Sequence, residues 1–184
     1  MEALLNSFFL VFASEMGDKT QLLALVLATR YKKPWTILLG VFIATVANHA
    51  FASLAGSWIS SLVSHQTLIY ILAATFFIFG LWILIPDKEE EVKEVGHFGA
   101  LVTTIIAFFI AEMGDKTQLA TIALGAKYQN MVIVTIGTTL GMMGSNALAI
   151  FLGDKFLARV PMKWVRIFAC ILFLVFGLGI LLGA

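Results

Sequence analysis

Glu15-Met16-Gly17-Asp18-Lys19-Thr20 recurs letter for letter as Glu112-Met113-Gly114-Asp115-Lys116-Thr117. Both copies run on into Gln-Leu, as Gln21-Leu22 and Gln118-Leu119. Each copy interrupts apolar chain: residues 4–12 and 22–28 flank the first, 101–110 and 119–124 the second. Ionisable groups in hydrocarbon are costly and mark function by default. Here a Glu, an Asp and a Lys fall within five positions, twice. A buried structural ion pair, Asp18 with Lys19 and Asp115 with Lys116, accounts for two of the three charges. It leaves the extra glutamate of each copy without a reason.

The surrounding chain is that of a polytopic membrane protein. Of 184 residues, 60% are apolar and 12% charged, and the mean hydropathy is +0.98, far above a soluble domain. The net charge of +1 says little, because the charges are clustered. No basic patch with interleaved aromatics points to nucleic acid. Cys170 is the single cysteine and lies in an apolar run, so it forms no internal disulfide and reads as a small packed or lipid-facing residue. The first apolar run has no basic residues before it and continues past position 25, which predicts a retained span rather than a cleaved leader.

A membrane-crossing helix needs about 20 mostly apolar residues. Six segments meet that length: 3–29, 34–60, 66–86, 98–125, 129–152 and 162–183. The first and fourth exceed it, which leaves room for tilt or a break. Residues 87–96 form the one hydrophilic linker, with five acids and two lysines. At the 97-residue offset between motifs, Arg30-Tyr31 falls on Lys127-Tyr128, Gly40 on Gly137 and Asn48 on Ser145. The expected fold is all-α: six transmembrane helices as two three-helix repeats, 1–86 and 98–184, joined by an acidic cytosolic linker at 87–97. Three is odd, so the second repeat crosses in the opposite sense. That is the inverted-repeat plan of secondary transporters, which place substrate near the midplane.

Lys and Arg in loops set orientation. Arg30, Lys32, Lys33, Lys88, Lys93, Lys155, Arg159, Lys163 and Arg166 fall on one side, and only Lys127 on the other. The first side is expected to be cytoplasmic and both termini periplasmic or luminal.

On a continuous helix Glu15 and Asp18 share a face, as do Glu112 and Asp115, with Lys19 and Lys116 on the flank. Gly17 and Gly114 permit a break or a close helix crossing. Spans crossing there would gather four carboxylates, Glu15, Asp18, Glu112 and Asp115, with Thr20, Thr117, Gln21 and Gln118 adding neutral oxygens. Such a set suits a hard divalent cation, Ca²⁺ or Mn²⁺. Neither motif contains Cys or His, the ligands expected for Zn²⁺ or Cu⁺. Four anions repel one another when the site is empty, so protons and metal compete for the same oxygens. That competition is a route to metal–proton antiport. Lys19 and Lys116 are candidate modulators that neutralise an acid and withdraw when metal enters; permanent pairing or snorkelling is the equal alternative.

The doubled Glu-x-Gly-Asp-Lys-Thr string with a central acidic loop resembles the signature of the Golgi divalent-cation transporter family, within the lysine-exporter superfamily. The resemblance spans nearly the whole chain. It implies carry-over to Glu15, Gly17, Asp18, Lys19 and Thr20, and to Glu112, Gly114, Asp115, Lys116 and Thr117. Bacterial members export manganese, and eukaryotic members exchange Ca²⁺ and Mn²⁺ for protons. The short linker and N-terminus resemble the bacterial type, implying Mn²⁺ export across the inner membrane of a bacterium. No cofactor is implied beyond the transported ion. The expected partners are the metal, protons and the lipid bilayer, and a homo-oligomer is left open.

Asn48 and Asn146 lie within spans two and five as helix-packing glue or as modulators of the site; His49 has no histidine counterpart. His65 and His97 sit near span ends. Gly137 and Gly141 suggest a packing seam. Trp35, Trp58, Trp82 and Trp164 lie near span ends, as an aromatic belt requires. A Ca²⁺/H⁺ exchanger, a divalent-cation channel and, less favoured for want of a nucleophile or His-rich motif, a membrane-embedded metalloenzyme are the competing functions.

Overall fold

A computed structural model of the chain describes residues 1–86, 99–153 and 161–183. The acidic linker with His97, and the basic residues Lys155 and Arg159, lie outside the described residues. Within them the chain is all helical: α1 (Glu2–Glu15), α2 (Lys19–Tyr31), α3 (Pro34–Ser60), α4 (His65–Ile83), α5 (Ala100–Glu112), α6 (Lys116–Tyr128), α7 (Met131–Leu152) and α8 (Met162–Leu182). Three of the helices, α3, α4 and α7, start where the sequence supplies a start signal. Pro34 occupies the first turn of α3, where a missing N–H costs nothing. Ser64 accepts from the Thr67 amide to cap α4, and Asn130 accepts from Ile133 to cap α7, satisfying amides that helix geometry leaves open.

Eight described helices stand where six were expected. Span 3–29 is split into α1 and α2, and span 98–125 into α5 and α6. The reason is local. Gly17 and Gly114 both have φ of 79°, a region L-residues avoid. Met16 (φ −68°, ψ 112°) and Asp18 (−81°, 164°) on either side are extended. Met113 (−69°, 114°) and Asp115 (−76°, 166°) repeat those angles. Each half-helix is 13 or 14 residues, about 20 Å at 1.5 Å per residue, too short to cross alone. By length and composition α3, α4, α7 and α8 can each cross a bilayer. The chain is a multi-pass helical membrane protein.

The same left-handed stop ends both second half-helices, at Lys32 (φ 51°) after α2 and Gln129 (φ 49°) after α6. Packing joins the first four helices to the last four. α1 lies on α7, α3 on α5, α6 and α7, and α4 on α8. Small residues make the closest approaches. A β-carbon on Gly56 would sit 1.9 Å from the Ile122 carbonyl oxygen, and one on Gly141 2.6 Å from that of Phe8. Gly137 meets Leu4 in the same way, so the Gly137/Gly141 pair is a packing seam of α7 on α1. One apolar core, with Phe76 and Phe173 at its centre, holds α4 and α8 together. A second gathers Leu27, Ile37, Val41 and Phe108. Large apolar side chains such as Phe51, Trp58, Ile78, Ile110 and Val175 face outward, toward lipid. The interior also holds buried polar residues, among them Glu15, Gln21, Glu112 and Gln118.

Candidate metal centre

Each break turns a helix end toward the interior. Glu15 is the last residue of α1 and Asp18 the N-cap of α2; Glu112 and Asp115 hold the same places on α5 and α6. The glutamate and aspartate of one motif therefore do not share a helical face, as continuous helices would have had it, but sit on two consecutive helix ends. The break is braced by the residue one turn on. Gln21 Oε1 accepts from the Gly17 N–H at 2.8 Å, and Gln118 Oε1 from the Gly114 N–H at 2.8 Å. The other end of each amide reaches the opposite half. Gln21 Nε2 donates to the Ser145 carbonyl at 2.8 Å and hydroxyl at 3.1 Å. Gln118 Nε2 donates to Asn48 Oδ1 at 3.4 Å, and Asn48 donates onward to the Phe109 carbonyl. The structure thus places Gln21, Gln118 and Asn48 as braces rather than among the converging carboxylates.

Glu15, Glu112 and Asp115 converge. One carboxylate oxygen from each lies within 4.8 Å of the others, and all three residues are buried. Asp18, the fourth predicted acid, is buried too but is not in that group; its carboxylate lies 3.5 Å from the Thr20 hydroxyl. Oxygens bound to one divalent ion at roughly 2.0–2.6 Å lie up to about 5 Å apart, so the three present spacings fit a single hard cation.

The neutral oxygens divide unevenly. Thr20 Oγ1 donates to Glu15 Oε2 at 2.9 Å, and Thr117 Oγ1, from the other motif, donates to Glu15 Oε1. Among the described residues neither oxygen of Glu112 has a hydrogen-bond partner. Thr20 lies close to Glu112, but a hydroxyl has one proton, and Glu15 holds it. Buried carboxylate oxygens without donors are costly, and a cation is what such oxygens accept.

The lysines also divide. Lys19 Nζ lies 3.3 Å from Asp115, bridging the two motifs. Lys116 Nζ donates to the Ile85 carbonyl at 3.3 Å beyond the end of α4 and lies 5.8 Å from the centre of the Trp82 ring. Beside Asp18 a small cavity is bounded by Ser14, Met16, Ile83, Lys116 and Arg166. Asn146 stays within α7, donating to the Met142 carbonyl at 3.0 Å, with its oxygen buried and, among the described residues, unbonded. Both ring nitrogens of the buried His49 are likewise unbonded among the described residues.

Three contributors escaped the sequence. Ser14 lies 3.5 Å from the Thr117 hydroxyl, Ser145 anchors Gln21, and Arg166 lines the same cavity as Asp18. Ser145 had a signal, since the 97-residue offset pairs it with Asn48. Ser14 and Arg166 had none.

The sequence matches the family described as "Divalent cation/proton antiporter GDT1" over residues 3–91 and 100–184. It is 41% identical over 180 residues to a Vibrio cholerae protein named "Putative manganese exporter", covering 97% of this chain and 90% of that one. It is 32% identical to "GDT1-like protein sll0615" of Synechocystis sp., over 96% of this chain and 95% of the relative. It is 27% identical to "GDT1-like protein 3" of Arabidopsis thaliana, over 97% and 70% of the two chains. No solved structure matches. With the doubled motif, the multi-pass helical build and the match over both halves in hand, the chain belongs to the divalent cation/proton antiporter family, whose members transport metal ions as substrate and are not enzymes.

Proposed function

We propose that the protein exports Mn²⁺ from the bacterial cytoplasm in exchange for protons, with Glu15, Glu112 and Asp115 as the principal ligands. The observation that carries this is the meeting of carboxylates from both motif copies within 4.8 Å. The name of the 41% identical Vibrio relative favours Mn²⁺ over Ca²⁺. Thr20 and Thr117 supply hydroxyls at the same point, and Asp18 joins from the cavity side as the ion enters or leaves. Lys19 neutralises Asp115 while metal is absent and must release it for the metal to bind. Protons and metal then take turns on one set of oxygens, which is the requirement for exchange.

The architecture that serves this is two inverted repeats, 1–86 and 98–184, joined by a cytosolic linker at 87–97, with six spans of which the first and fourth are broken at the site. The equal backbone angles at both breaks and the reciprocal packing of α1 on α7 and α5 on α3 support it. Nine loop cations against one favour periplasmic termini and an inner-membrane location. Reporter fusions at Glu91 and at the C-terminus test that orientation, and a cytoplasmic C-terminus would sink it.

The transport test is metal uptake into inverted vesicles, with Mn²⁺ and Ca²⁺ compared. Uptake of Mn²⁺ should need a pH gradient and should fall as the pH on the loading side falls, because protons then occupy the carboxylates first. Uptake indifferent to pH and gradient removes the protons from the mechanism. Preference for Ca²⁺ replaces the substrate.

A further inference from the structure

Away from the carboxylates, one polar contact recurs at both far ends of the broken spans. α1 leads into the site and α6 leads away from it, and the two lie side by side. Their far ends meet where Asn6 Nδ2 donates to the Tyr128 hydroxyl at 2.7 Å, and that hydroxyl donates to Glu2 at 3.2 Å. α5 leads into the site and α2 away, again side by side. Their far ends meet where the Tyr31 hydroxyl donates to Thr103 at 3.2 Å. Tyr31 and Tyr128 are 97 positions apart, as are Asn6 and Thr103. A cation precedes each tyrosine. The Arg30 guanidinium lies 5.9 Å from the Tyr31 ring centre, and Lys127 Nζ 5.5 Å from that of Tyr128 and 5.2 Å from that of Phe176.

We infer that these two tyrosine clasps are the paired closures of the ion route, Tyr128 with Asn6 and Glu2 on the periplasmic side, Tyr31 with Thr103 on the cytoplasmic side. The inference rests on the six-span carrier reading above. A carrier must hold at least one end shut, and the seams α1–α6 and α2–α5 are the two that run from the carboxylates to opposite faces in that reading. A hydrogen bond at the mouth of each seam is worth little by itself, so it can break and reform during a cycle. The cation laid on each ring puts positive charge at the mouth, which disfavours return of a metal ion through a closed end. The clasps are not equal. Gly99 stands at the position offset from Glu2, so only the Tyr128 clasp has a carboxylate as third partner, and it is the tighter one. These tyrosines are positioning residues that act on access and touch no metal.

The test uses the full chain with Cys170→Ala and a reporter Ser14→Cys beside the site, labelled by a membrane-impermeant thiol reagent from each side. Tyr128→Phe keeps the ring and cation but removes the hydroxyl. It should raise periplasmic labelling by roughly fivefold, the population shift that loss of about one hydrogen bond produces. Tyr31→Phe should raise cytoplasmic labelling by a smaller factor. Asn6→Leu and Thr103→Val should reproduce the respective shifts. Amide exchange at residues 2–8 and 124–130 against 28–31 and 100–104, read on the unmodified cysteine background, gives the same comparison if the reporter chain folds poorly. Unchanged labelling and exchange in both tyrosine variants, or increases from one common side, overturn the clasps. Increases from exchanged sides uphold the clasps and reverse the orientation. Opposite-sided increases in a protein that moves no Mn²⁺ uphold them and overturn the substrate.

Discussion

At Glu15 two threonine hydroxyls, one from each motif, give their protons to a single carboxylate; at Glu112, the same residue of the same motif 97 positions on, neither oxygen has a donor among the described residues. The contrast continues around the two breaks. Gly17 lies under Met162, whose sulfur would be 2.5 Å from an added β-carbon, whereas among the described residues nothing lies within 4 Å of one on Gly114. Gln21 finds two short acceptors on Ser145, and Gln118 a single longer one on Asn48. Lys19 reaches across to Asp115, and Lys116 reaches the end of α4. The backbones meanwhile agree to within a few degrees. Identical local sequence therefore fixes identical local geometry, while partners are set by residues elsewhere that the two halves do not share. Each hydroxyl has one proton to give, so the two threonines could serve one glutamate each or both serve one; here both serve Glu15.

The sharpest way to break the comparison is to neutralise one glutamate at a time. Glu15→Gln and Glu112→Gln should each reduce Mn²⁺ flux in liposomes by more than the roughly 10–100-fold that loss of an outer partner costs a metal site. Their stabilities should differ. Glu15→Gln weakens two hydrogen bonds to a charged acceptor, and in detergent it should cost about 1.5–3 kcal/mol. Glu112→Gln removes a buried charge with no donors and should unfold at or above the parent temperature. Equal losses of stability would mean that the two acids are equivalent and that the asymmetry has no energetic content.

Gly17→Ala and Gly114→Ala come next. Both place a β-carbon at φ 79°, at about 1–2 kcal/mol. Gly17→Ala also pushes on Met162, adding about 1 kcal/mol of crowding, so it should be the less stable of the two. Adding Met162→Ala should close that gap in thermal unfolding. If the gap persists, Met162 is not its cause.

The smallest expected difference is between Gln21→Leu and Gln118→Leu. Each strands a glycine N–H beside the break, at about 1–3 kcal/mol. Gln21→Leu should cost more, since it also surrenders the short bonds to Ser145. An equal or reversed order in urea or thermal midpoints would show that the second amide contact contributes nothing.

Much of this was written in the chain before any coordinates. The doubled motif marked where carboxylates of the two halves meet, and glycine between two acids marked the point where a span can break, since an unencumbered φ near 80° needs a residue without a β-carbon. The 97-residue offset paired Asn48 with Ser145 and Tyr31 with Tyr128, and those pairs recur as equivalent contacts. The all-helical membrane build followed from length and hydropathy, because a bilayer leaves backbone polar groups no partner outside a helix or closed barrel. What sequence could not supply was the division of labour. On a continuous helix Glu15 and Asp18 would share a face; the extended residues at Met16 and Asp18 separate them, and Asp18 stands apart from the three acids that meet. Gln21 and Gln118 offered oxygens for metal on paper, yet those oxygens answer the nearest unsatisfied donor, the glycine N–H four residues back. Met162, Ile85 and Arg166 enter from distant chain, Ser14 reaches across to Thr117 of the other motif, and neither spacing nor residue type announces such contacts. The sequence by itself determined the helical membrane build, the points where a helix is free to break and the chemistry of the acids, all of which depend on composition and local backbone preference; which acid holds which hydroxyl, and which lysine faces which acid, depends on distances between helices and is decided only when they pack.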